Sequence, residues 1–160
     1  MKELLLQKLA AIPDPGSKLN IAREYLQAYA LRSLHESGAF ASLSFVGGTA
    51  LRFLFQLPRF SEDLDFSLED TTGYQPELWL SKLKQDLTYA GFDTAITWND
   101  RKTVHTAWIE TRKLLHEAGI APLPDQTLAI KLVIDSKPPP GAIMQSTLIN
   151  RHNYQSQLAR

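Results

Sequence analysis

Asp63 and Asp65 stand two residues apart in Asp63-Leu64-Asp65-Phe66-Ser67-Leu68, a run that alternates polar with apolar side chains. That alternation is the period of a half-buried strand. It places both carboxylates on one face, with Leu64 and Phe66 anchored behind. Two carboxylates side by side repel each other unless a cation lies between them. Oxygen ligands of this kind suit Mg²⁺ or Mn²⁺, with substrate phosphates completing the shell, the arrangement of phosphoryl and nucleotidyl transfer. A solvated acidic face is the competing reading, because Glu62, Asp63, Asp65, Glu69 and Asp70 make the whole stretch acidic.

A second feature lies just upstream. Leu43-Ser44-Phe45-Val46 has a strand's length and apolar content. It meets Gly47-Gly48, and Thr49 to Phe55 then resumes helical spacing until Pro58 ends it. A glycine pair between a strand and a helix N-terminus lets backbone N–H groups approach an anion, and the helix dipole favours phosphate there. A purely structural turn has the same signature. Thr49, at the helix start, either caps the helix or meets a phosphate.

Strand, Gly-Gly, helix, loop and then a strand bearing Asp-x-Asp follow in order, with fourteen residues between Gly48 and Asp63. This order resembles the nucleotidyltransferase superfamily signature. Phe45 to Arg52 and Arg59 to Ser67 resemble, more specifically, the AbiEii/AbiGii toxin family of nucleotidyltransferases of bacterial abortive-infection and toxin–antitoxin systems. The resemblance extends to Ala22-Arg23-Glu24-Tyr25-Leu26 and to Leu128 to Asp135, with its Pro-Pro-Pro-Gly-Ala exit.

The resemblance implies an α+β fold of the polymerase-β-like nucleotidyltransferase type, a mixed sheet packed with helices. It implies Mg²⁺ or Mn²⁺ on Asp63, Asp65 and a third carboxylate, for which Asp135 is the candidate. An NTP would be held by Gly47 and Gly48, with Thr49, Arg59, Ser61 and Lys131 as further contacts. The acceptor would be a hydroxyl of RNA or protein, and a cognate antitoxin would be the partner. By the period-two rule Lys131, Val133 and Asp135 share a face, so a lysine and a carboxylate could flank phosphates and metal together. Family members often have an acid where Val133 stands. Asp135 reads equally as a turn acid before Ser136 and the prolines, and Arg59 as a partner of the acidic cluster.

The elements that must position these residues are legible in outline. Glu3 to Ile12 is a short helix stopped by Pro13-Asp14-Pro15-Gly16, and Ser17 to Ser37 is a longer one with Ser17 as N-cap. Ile21, Tyr25, Ala28, Tyr29, Leu31 and Leu34 form its apolar face. Gln75 to Ala90 is helical. Phe92 to Trp98 and Thr103 to Ile109 make a hairpin, and Leu114 to Ala118 is a short apolar segment. The β-branched run Thr127 to Asp135 is a central strand. The last twenty residues carry no clear periodicity. His35, His105, His116 and His152 lack ligand spacing, and Trp79, Trp98 and Trp108 read as packing, with one of them able to stack a base.

Composition sets the outer bounds. The 160 residues suit a single nucleotidyltransferase domain, and the resemblance implies a further C-terminal helical portion that this sequence does not contain. A homodimer or partner chain would cover the surface so exposed. The sequence is 44% hydrophobic and 21% charged, enough to bury a core. Seventeen basic against seventeen acidic residues exclude a general nucleic-acid coat or polybasic membrane binder, leaving only a locally basic groove. With no cysteine there are no thiolate ligands or disulfides. No membrane span is expected, and a cytoplasmic protein is. The alternative to an enzyme is a non-catalytic remnant or binding module with the same fold. A metal-dependent phosphodiesterase would use the same aspartates, but it lacks clustered histidines to activate water.

Overall fold

Four alternately apolar residues, Leu128, Ile130, Leu132 and Ile134, are each 1–2% exposed on the strand at the middle of the molecule, β5 (Thr127–Asp135). The computed structural model describes residues 1–58, 60–138, 146–151 and 154–159. Two helices, α1 (Lys2–Ala10) and α2 (Pro15–Glu36), lead into β1 (Leu43–Val46), α3 (Gly47–Phe55) and β2 (Leu64–Leu68). There follow α4 (Pro76–Tyr89), the hairpin β3 (Asp93–Asn99) and β4 (Val104–Arg112), α5 (Leu114–Glu117) and β5. A second hairpin, β6 (Ser146–Arg151) and β7 (Tyr154–Ala159), completes the order.

The five-stranded sheet has the order β1-β2-β5-β4-β3. Only β2 and β5 run parallel; the other neighbours are antiparallel. The architecture is therefore α+β with a mixed sheet, and the β-branched run is central as expected. One face of the sheet is the core. Phe45 and Phe66, paired across β1 and β2, bring their rings within 5.3 Å, and Phe40 packs 6.2 Å from Phe66. Each such ring buried contributes about 1.5–3 kcal/mol through removal of apolar area from water. The other face carries the second half of each alternation, Asp65 and Ser67 on β2 and Lys131, Val133 and Asp135 on β5.

Three sequence expectations need correction. The N-cap of α2 is Asp14, not Ser17: its carboxylate accepts from the Ser17 backbone N–H and hydroxyl at 2.9 Å each. Pro15, whose locked φ suits the first helical turn, lets the cap and the helix start move three residues earlier. α2 also buries much more of its circumference than the single apolar face, including Glu24, Gln27 and Ser33, because its middle lies within the core and β7 runs alongside. The final residues form the β6–β7 hairpin, which the sequence did not announce. No helix among the described residues is long and apolar enough to cross a membrane.

Candidate active site

β1 passes into α3 without a loop. Gly47 makes the transition with φ of +80°, in the left-handed region, and Val46 at the N-cap gives no side-chain hydrogen bond. The first N–H groups of α3 have no intrahelical acceptor, and they open at the exposed residues Gly47 and Gly48. A Cβ placed on Gly47 would lie 2.6 Å from Asp65 Oδ2, and one on Gly48 would lie 3.1 Å from Ser61 Oγ. The glycine turn thus touches both Asp65 on β2 and Ser61, which precedes that strand. A side chain at Gly47 would meet both backbone strain and the carboxylate.

Asp63 ends the approach to β2 and Asp65 lies within it, and the alternation of half-buried Asp63, buried Leu64, half-buried Asp65 and buried Phe66 keeps both acids on one side. Desolvation pushes the Asp65 carboxyl above its ordinary value, the negative charge of Asp63 pushes it further the same way, and Lys131 opposes both. The three charges therefore act on one another across β2 and β5. Thr49 is fully buried, and its hydroxyl donates to the Asp63 carbonyl, so it fixes the strand entry. It neither caps α3 nor stands open to a phosphate.

β5 supplies the opposite wall. Val133 is in register with Asp65, and Asp135 with Ser67 one pleat further along. The position beside Asp65 thus carries an apolar residue. Asp135 Oδ1 accepts from the Lys137 backbone N–H at 3.0 Å, the turn role that the sequence left open. Among the described residues no group of three His, Cys, Asp or Glu is placed to hold a metal ion, so Asp135 does not join Asp63 and Asp65 in a ready three-acid set. Arg59 lies outside the described residues, as do His152 and most of the Pro-Pro-Pro-Gly-Ala exit.

Behind the acids, α2 holds the loop that connects α3 to β2. The Gln27 carboxamide donates to the carbonyls of Ser61 and Glu62 at 3.0 and 2.9 Å. Glu24, with its side chain 3% exposed, accepts from Arg52 Nε at 2.9 Å. Arg52 also donates to the Leu57 carbonyl and lies 4.2 Å from the centre of the Phe60 ring. A buried pair with these additional contacts ties α2, α3 and the loop into one unit.

A family model for the nucleotidyl transferase AbiEii toxin of type IV toxin–antitoxin systems matches residues 29–151. The chain belongs to the AbiEii family. Two solved structures share the fold. A candidate nucleotidyltransferase from H. pylori matches at 19% identity and TM-score 0.56, over 85% of this chain and 52% of that one. JHP933 from Helicobacter pylori matches at 20% identity and TM-score 0.51, over 86% of this chain and 51% of that one. The AbiEii chain described here thus spans about half the length of both, and no curated protein matches it.

Within this AbiEii domain the structure brings Gly47, Gly48, Ser61, Asp63, Asp65 and Lys131 to one corner of the open sheet face. Asp63 and Asp65 fit a divalent cation by their chemistry. They are two hard oxygen donors whose mutual repulsion and partial burial make the ionised pair costly, which a cation would offset. The sequence reading missed Gln27 and the Glu24–Arg52 pair. Their only local signal was the polar residues Glu24 and Gln27 on α2 and Arg52 on α3, among apolar neighbours.

Proposed function

We propose that the AbiEii chain transfers a nucleoside monophosphate from an NTP to a hydroxyl of RNA or protein, within a toxin–antitoxin pair whose antitoxin is a separate partner. Asp63 and Asp65 would hold Mg²⁺ or Mn²⁺, which when bound would neutralise developing charge on the phosphates. The uncapped N–H groups at Gly47 and Gly48, with the Ser61 hydroxyl beside them, bind the triphosphate. Lys131 adds a positive charge on the far side of Asp65. The acceptor oxygen forms a bond to the α-phosphorus, the bond from that phosphorus to the bridging oxygen breaks, and pyrophosphate leaves. Asp135, on the same face one pleat along, is the carboxylate assigned to take the hydroxyl proton. A reaction drawing on NTP and Mg²⁺ belongs in the cytoplasm.

The observation that carries this reading is the packing of the Asp65 carboxylate against the Gly47 backbone, because it unites the phosphate-binding turn with the metal strand. Val133 beside Asp65 and the Asp135 turn bond favour a second reading, a binding module that keeps the fold without turnover. Incubation with α-³²P-labelled NTPs, Mg²⁺, mixed RNA and a protein extract separates them. Label on an acceptor that disappears in Asp65→Asn supports transfer. Wild-type protein that binds Mg²⁺ and NTP but labels nothing supports the binding module.

A further inference from the structure

The open sheet face does not end at Asp65. In register across the strands, the row Asp65, Val133, Thr106 and Asn99 runs from β2 through β5 and β4 to β3, and Lys131 and Trp108 lie side by side in the next row. Beyond β5 this face hollows into a groove of about 490 Å³, lined by Asn99, Lys102, Val104, Thr106, Trp108 and Lys131. Trp108 is 42% exposed and Val104 46%, large apolar groups left on a face that no helix among the described residues covers. Lys131 Nζ lies 5.7 Å from the centre of the Trp108 ring. The Asn99 carboxamide oxygen accepts from the Arg101 N–H, which leaves its amide N–H groups as the donor end.

An open indole flanked by two ammonium groups, a hydroxyl and an amide is not the lining of a pocket for an apolar ligand. Stacking on an exposed aromatic ring with nearby cations is how unpaired nucleotides are held with little sequence preference. The site also lies on one side only. The Gly47–Gly48 turn sits against Asp65 from β1 and α3, whereas Trp108 lies two strands away in the opposite direction, about 10 Å at the usual strand spacing. A base belonging to the NTP at the glycine turn would have to cross Asp65 to reach it, while a strand approaching from β3 and β4 reaches Asp65 last.

We infer that this groove binds an unpaired RNA segment, one base stacked on Trp108 with its phosphates near Lys102 and Lys131, and so delivers the strand's terminal hydroxyl to Asp65. Its role as acceptor rests on the nucleotidyl-transfer reading; the binding does not. The test is fluorescence anisotropy of a labelled, unstructured RNA oligonucleotide with the full chain, in the absence of NTP and metal. Trp108→Leu should weaken binding about tenfold, the loss of one stacked base, and Trp108→Phe should restore most of it. Lys102→Gln should flatten the salt dependence. Wild-type protein that binds the RNA but shows no binding of Mg²⁺ and NTP would count against the nucleotidyl-transfer reading and leave the groove standing. Absence of RNA binding, equal binding by a Trp108→Leu protein whose circular dichroism matches wild type, or displacement of the RNA by free NTP would overturn the inference.

Discussion

The two walls that meet at Asp65 are built differently. On the β1–α3–β2 side nearly every group is tied: Thr49 to Asp63, Gln27 to Ser61 and Glu62, Arg52 to Glu24 and Leu57, and Gly47 packed on the Asp65 carboxylate. On the β5 side Val133 offers no polar group to Asp65, and Asp135 is engaged with its own turn. The tied wall is preorganised, because its backbone cannot shift without breaking several bonds. The β5 wall is a plain strand face, whose residues are set by alternation alone. Preorganisation is worth most where charge develops during reaction, which matches the assignment of phosphates to the first wall and acceptor to the second.

Breaking the tied wall should have the largest effect. Arg52→Met removes one partner of the buried pair with Glu24 and should cost about 3 kcal/mol of stability in urea unfolding. Val133→Thr, on the half-exposed face of the other wall, should cost under about 1 kcal/mol. Equal losses would mean that the two walls do not differ as described. Gly47→Ala falls between, at about 1–3 kcal/mol, from its left-handed backbone and its contact with Asp65.

The electrostatics give a finer test. The folded Asp65 carboxyl is held above its ordinary value, first by burial and then by Asp63, so the native state binds its proton more readily than the unfolded chain does. Between the unfolded and folded values the native state carries more protons, and stability must fall as pH rises through that window. Asp65→Asn removes this cost of ionising the carboxyl. The variant should therefore be more stable than wild type near neutral pH, with the gap closing as pH falls through the raised value of Asp65. Urea unfolding at a series of pH values checks this, and a gap that widens on acidification would contradict the sign.

What could be read in the sequence follows the range of the interactions. The β1, Gly-Gly, α3, β2 order and the central β5 strand rest on local periodicity and on glycine chemistry, so residues within a few positions announce them. Asp63 and Asp65 on one face follow from alternation, and that Lys131 faces them from β5 follows from the same rule once β2 and β5 are neighbours. The bonds from α2 to the loop span long stretches of chain, from Glu24 to Arg52 and from Gln27 to Ser61. No spacing encodes such pairs, because a polar residue on a helix looks solvent-facing until the tertiary fold buries it. Thr49 illustrates the same limit. Its place at the helix start suggested a cap, but only the approach of the Asp63 carbonyl decides where the hydroxyl points. Asp14 and Ser17 compete as caps within one turn, and Pro15 decides between them.

The central claim is that Asp63 and Asp65, the latter packed against the Gly47 turn, form a joint site for a divalent cation and a triphosphate. Thermal unfolding of the wild type and of Asp63→Asn/Asp65→Asn, each with Mg²⁺ alone, NTP alone and both, tests it most directly. Wild type should gain little from either alone and several degrees from both, because phosphate oxygens complete the shell that two carboxylates begin. The double variant should gain nothing from the pair. An equal gain in both proteins would contradict the assignment of these aspartates.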